Sequence, residues 1–139
     1  LENEPLWLGE GHIILANQKV AKRFGFPYLL RDRQALIAAL EQPKVLWRYG
    51  DANVANAAST LLLEIGRMKP FEAGNQQTAF MSCCLFLKSN YYTLAVKESS
   101  ILTTFIERAI GKILTSEDKS DDLFYRTMRR CIFATHEMT

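Results

Sequence analysis

The 139-residue chain is predicted to be all-α: one domain, a helical bundle with a single small β-hairpin flap. Three observations predict it. Apolar residues recur at three- and four-residue spacing in six stretches of the chain. Seven Gly and four Pro are all the breakers there are, and most fall between those stretches. Aliphatic and aromatic residues make up 48% and charged residues 23%, enough apolar side chain to build a core at this length.

Each element follows from local pattern. Residues 13–24, IILANQKVAKRF, put Ile13, Ala16, Val20 and Phe24 on one helical face and turn Lys19, Lys22 and Arg23 outward. Gly25 and Pro27 break that pattern. Asp32 is placed to cap RQALIAALEQ, where Leu36, Ile37 and Leu40 share a face and Pro43 follows the expected stop. VLWRYGD, 45–51, is rich in β-forming residues and closes on Gly50-Asp51, which predicts a short extended flap. Asn53 opens the longest amphipathic helix, with Val54, Ala57, Ala58, Leu61, Ile65 and Met68 along one side; small residues at 55 and 57–59 allow a neighbour to approach closely. Lys69-Pro70 ends it, because the residue before proline is pushed out of the α region.

Asn75 or a residue beside it is expected to cap TAFMSCCLFLKSN, which is apolar almost all round and so predicted to run through the centre, ending at Asn90. YYTLAV, 91–96, reads as a short extended piece. Residues 99–114 form a further helix on Ile101, Leu102, Phe105, Ala109 and Ile110; TSEDKSDD is a polar linker; residues 122–134 form the last helix, and the tail HEMT is expected to fray.

The net charge is +2, with acids and bases mixed along the chain, so charge gives no reason to expect direct nucleic-acid binding. No apolar run reaches about 18 residues, the length needed to span a membrane. Cys83, Cys84 and Cys131 are odd in number and two are adjacent in an apolar run, which fits buried thiols in a reducing compartment rather than a disulfide framework. With no secretory leader at the start, the expected location is the cytoplasm. The chain begins at Leu1 rather than Met, as one lacking its first residues would.

Between the third and fourth helices lies KPFEAGN. A helix N-terminus offers unpaired N–H groups and the positive end of its dipole, a Gly at position 74 permits a tight turn and leaves room for an anion, and Phe71 can anchor the loop in the core. The same residues also suit a plain helix–loop–helix connection, which residue types alone favour.

KPFEAGNQQTA resembles the Fic/Doc (death-on-curing) signature, His-Pro-Phe-x-Asp/Glu-Gly-Asn-Gly/Lys-Arg-Thr. LLRDRQALIAALEQPKVLWRYGD, 29–51, is similar to the G-x-R-D-x-x-x-L-x-x-A-L-x-x-P-x-x-x-x-Y-G segment of that family, and FLKSNYY, 86–92, to its F-L-x-x-N-G-Y. The resemblance spans about residues 12 to 115, leaving 116–139 as a C-terminal linker and helix. It implies a bacterial toxin–antitoxin lineage, a bundle with the motif loop at its centre, and a flap near 43–51 that aligns a target peptide.

The family's members transfer a nucleotidyl or phosphoryl group from ATP with Mg2+ to a protein hydroxyl. That chemistry needs a base, a carboxylate-held metal ion and cations on the phosphates. Set against the signature, Lys69 stands at the general-base His, Ala73 at the acidic metal ligand, Gln77 at the phosphate-binding Arg and Gln76 at the Gly or Lys. Pro70, Phe71, Gly74, Asn75 and Thr78 remain. The loop's shape is kept and its chemistry is lost.

The resemblance therefore implies a pseudoenzyme that binds a protein partner, either an antitoxin-like protein or a peptide at the flap. At most a residual phosphate or nucleotide site remains, formed by Lys69, Gly74, Asn75, Gln76 and Gln77. An active transferase with Lys69 as base or phosphate clamp and Glu72 as metal ligand is the alternative, and a purely structural helical domain is the third reading. His12 and His136 read as surface residues. Thr60/Glu64 and Thr103/Glu107 carry the Thr-x-x-x-Glu spacing of the family's inhibitory helix without the residue that should follow; Arg126, Arg129 and Arg130 form a small basic cluster.

Overall fold

The computed structural model describes residues 3–50, 52–94 and 122–138. The architecture is all-α with a small two-stranded sheet: α1 (Glu10–Phe24), α2 (Arg33–Tyr49), α3 (Val54–Met68), α4 (Asn75–Ser89), β1 (Tyr92–Leu94), α5 (Asp122–Cys131), β2 (Ile132–Ala134) and a closing 3-10 turn (Thr135–Met138). The strands run antiparallel with Tyr92 opposite Ala134, Thr93 opposite Phe133 and Leu94 opposite Ile132. The extended piece expected after Asn90 is thus β1. The last helix stops at Cys131 instead of 134, because Ile132 to Ala134 pair with that strand, and residues 135–138 form a turn where a frayed tail was expected. The expected helix at 99–114 and the linker after it lie outside the described residues.

Capping residues set the helix starts. Asp32 accepts a hydrogen bond from the Ala35 N–H (3.0 Å) and Asn53 one from the Asn56 N–H (3.0 Å), both relieving amides that the first turn leaves unpaired. Helix α1 begins three residues earlier than its apolar stripe, and there the exposed His12 accepts from the Gly9 N–H through Nδ1 (3.0 Å).

Two expectations are corrected. Residues 43–49 are not an extended flap: they are the last two turns of α2, with Pro43 inside the helix and buried. An interior proline costs a helix about 3 kcal/mol. The continuation is held by packing instead, since Trp47 meets the Trp7 ring edge-on (centroids 6.1 Å apart), and Trp7 in turn stacks on Phe86 (5.7 Å). Nor is α4 the most enclosed helix. Gln76, Gln77, Leu85 and Lys88 face solvent, while α3 buries Val54, every residue from Asn56 to Leu63, Ile65 and Gly66 between α2 and α4. Its run of Ala57, Ala58 and Ser59 lets both neighbours approach, and α5 closes over it through Thr60 Oγ1 and Tyr125 OH (2.7 Å) and Arg129 to Asn56 Oδ1 (3.0 Å).

Candidate functional site

The motif loop joins α3 to α4. Lys69 closes α3 in the left-handed region (φ 48°), its N–H bonding to Ile65 C=O (3.2 Å). A residue with a Cβ is not a natural occupant of that conformation, and Arg31 supports Lys69 there by donating through Nη2 to its carbonyl (2.9 Å).

From there the loop runs antiparallel to residues 29–32. The N–H groups of Arg31 and Asp32 both donate to Pro70 C=O (2.9 Å each), and the Glu72 N–H donates to Leu29 C=O (3.0 Å), with Leu30 and Phe71 as the bridged pair. In this antiparallel pattern the bridged residues do not bond each other, so their own N–H and C=O groups point away on opposite edges. On the Phe71 edge, Asn75 Oδ1 accepts the Phe71 N–H (3.0 Å) and Asn75 Nδ2 donates to Phe71 C=O (2.8 Å). One carboxamide takes the place of a third strand's peptide. On the other edge, the N–H and C=O of Leu30 have no partner among the described residues. The Phe71 ring itself is 0% exposed, as its anchoring role requires.

Gly74 (φ 75°) caps α4. A Cβ there would lie 2.5 Å from Phe26 Cζ and 3.0 Å from Val20 Cγ1, so the glycine makes room for α1 and the Phe26 ring as well as for the turn. Below the loop, buried Asn17 donates through Nδ2 to Ala73 C=O (2.9 Å) and to Thr78 Oγ1 (3.0 Å), while the Thr78 N–H bonds Gly74 C=O (2.9 Å).

Of the residues at the signature's chemical positions, Lys69, Gln76 and Gln77 are exposed, as is Glu72; Ala73 is half-buried and brings no ligand atom. The amides of Asn75, Gln76 and Gln77 open α4 without a side-chain cap. Among the described residues no group of three or more His, Cys, Asp or Glu is placed to hold a metal ion, and no helix is long and apolar enough to cross a membrane. The residues Asn17, Phe26 and Arg31, which hold the loop in place, were not singled out in the sequence. Asn17 had a visible signal, a carboxamide on the apolar stripe of α1.

Other candidates find structural partners. Thr60 is buried, with its hydroxyl on Asn56 C=O and Tyr125, and Glu64 lies 4.0 Å from Arg67; Thr103 and Glu107 lie outside the described residues. Arg129 belongs to the α3–α5 contact, and all three arginines are exposed, as is His136. Burial pushes the Cys83 thiol well above its ordinary range, with Cys84 beside it adding to the shift, and raises Cys84 to about 11, which leaves both as unreactive packing groups. Comparison of the chain with protein-family models, with curated proteins and with solved structures finds no match.

Proposed function

We propose that this chain is a catalytically degenerate Fic/Doc-fold protein that works by binding an extended segment of a protein partner along the Leu30 edge. The observation that carries the reading is the open half of the Leu30–Phe71 bridge. A backbone N–H and C=O at the end of a ladder, flanked by exposed Tyr28, Leu29 and Arg31, is the geometry by which a peptide adds as a strand. The partner edge in this reading is residues 28–31 and not the expected flap, whose residues 43–49 are helical.

Loss of transfer chemistry follows from the residues at the loop. No carboxylate stands at position 73, no guanidinium at 77, and the Asn75 carboxamide is fully engaged with Phe71. A toxin–antitoxin ancestry fits this reading, with the partner contact outliving the reaction.

Two experiments test it. Peptides selected from a random display library for binding should lose affinity at least tenfold against Leu30→Pro, which removes the outward donor and leaves the Leu29 and Arg31 bonds to the loop. Selected peptides indifferent to that change would refute the edge. Titration calorimetry with ATP, with and without Mg2+, is expected to show no magnesium-dependent binding. Gln77→Glu, an exposed substitution that sets a negative charge over the α4 amides, is the control. Label transfer from ATP to protein that disappears in Lys69→Ala would establish the transferase instead.

A second reading has its own support. Phe71, Gly74, Asn75 and Thr78 are all engaged in packing or in bonds to the chain itself, as in a purely structural helical domain. Failure to select any peptide would favour it.

A further inference from the structure

Residues 3–9 form an N-terminal strap that belongs to no helix or strand, yet it is held at several points along one slot. Asn90 accepts the Leu6 N–H (2.7 Å) and donates to Leu6 C=O (3.1 Å). Trp7 stacks on Phe86 (5.7 Å between centroids, 21° between planes) and meets Trp47 edge-on (6.1 Å). Pro5 and Leu8, before and after it in the chain, are buried. The last turns of α2 and the C-terminal end of α4 make the slot.

A bound peptide is held in this way. Among the described residues, the stretch from Asn3 to Leu8 makes no backbone-to-backbone hydrogen bond. Its main-chain grip is the Asn90 carboxamide, one donor and one acceptor that take a peptide's C=O and N–H whatever its side chain. Specificity then falls to the side chains seated beside that grip, Trp7 above all. The strap also carries a bond of its own, Trp7 Nε1 to Glu4 Oε1 (3.0 Å), which travels with it. It joins α1 at the exposed Gly9, and a residue without a Cβ leaves that joint free to turn.

We propose that the slot is a docking site for residues 3–9 of a second copy of this chain, so that two chains join by exchanging straps. An exchanged strap meets the same Phe86, Trp47 and Asn90 groups as the chain's own. Contacts and burial are therefore equal in the two arrangements, and the tether decides between them. A short tether gives the chain's own strap an effective concentration on the order of millimolar, which keeps the native chain closed on itself in dilute solution. Exchange emerges when self-docking is spoiled in both chains, at the strap in one and at the slot in the other. None of the residues of the Leu30 edge takes part.

Sedimentation equilibrium of two variants of the full chain tests this. Trp7→Ala spoils the strap and keeps the slot, and Asn90→Ala spoils the slot and keeps the strap. At about 100 μM, well below the tethered concentration, each alone is expected to sediment as a monomer. Mixed in equal amounts, they should form a species of about twice the mass, the intact strap of one seated in the intact slot of the other. A mixture that stays monomeric overturns the proposal. So does a dimer that also forms between Trp7→Ala and the double variant Trp7→Ala/Asn90→Ala, where no intact strap is present. Leu6→Pro takes the place of Trp7→Ala if loss of the indole unfolds the chain, since it removes the N–H that Asn90 grips and alters an exposed side chain.

Discussion

Helix α4 is held at both ends by an asparagine that grips a peptide with both arms of its carboxamide. At the N-terminal end, Asn75 holds the Phe71 peptide, four residues away. At the C-terminal end, Asn90 accepts from the Leu6 N–H (2.7 Å) and donates to Leu6 C=O (3.1 Å), across 84 residues of sequence, while also donating to Phe86 C=O (2.8 Å). The chemistry is the same and the setting differs. Asn75 works half-buried beside a fully buried ring, whereas the Leu6 bonds are exposed and depend on Trp7 packing to bring the N-terminal strap of residues 3–9 near. A short-range clamp closes a small loop at little entropic cost, while a long-range clamp records a contact that the tertiary fold has already made.

That contrast is broken most severely at Gly74. Gly74→Val forces a branched side chain into the left-handed region and against Phe26 and Val20, and is expected to cost about 3 kcal/mol in urea unfolding. Gly11→Ala is the matched control, since a Cβ there meets nothing within 4 Å; that change should leave stability equal or slightly higher. A mild Gly74→Val would mean that the N-terminal end gives way easily, and the proposed distinction between the ends would fail.

The clamps themselves come next. Asn75→Ala strands the N–H and C=O of Phe71 and should cost about 2 kcal/mol, against about 1 kcal/mol for Asn90→Ala, whose Leu6 partners can turn to water. Only the second should shift tryptophan emission to longer wavelength, because Trp7 rides on the strap beside Trp47. Equal costs would show that exposure does not separate the two.

A further effect, confined to alkaline solution, concerns pH. Cys84 has a folded value of about 11 against an ordinary 9.0, so the neutral thiol is the form the fold accepts. Its contribution is complete below pH 9 and is lost as pH rises from there to about 11, where the unfolded chain gives up the proton first. Unfolding midpoints measured across that window should fall in the native chain and fall less in Cys84→Ala.

Much of this was readable in the sequence, for identifiable reasons. Asp32, Asn53 and Asn90 marked helix ends correctly because capping is a contract between near neighbours. The anchoring of Phe71 and the positive φ of Gly74 followed from the loop's residue order. Residues 43–49 were misread because proline and β-forming residues outweighed, on paper, an aromatic contact with Trp7, some 40 positions away. The extended partner of the motif loop was equally hidden: nothing in residues 29–32 announces that Pro70 and Glu72 will be beside them.

The Asn75 clamp also separates two neighbouring amides in time. The N–H of Phe71 is tied to a side chain, so a rotation about the Asn75 side-chain bonds is enough to break its bond, although water must still enter to reach it. The next N–H, that of Glu72, is tied to the Leu29 peptide and is released only when two stretches of backbone part. In deuterium exchange the first should therefore show the weaker protection of the two. The second, one position along, should carry the slow clock of the loop leaving the bundle.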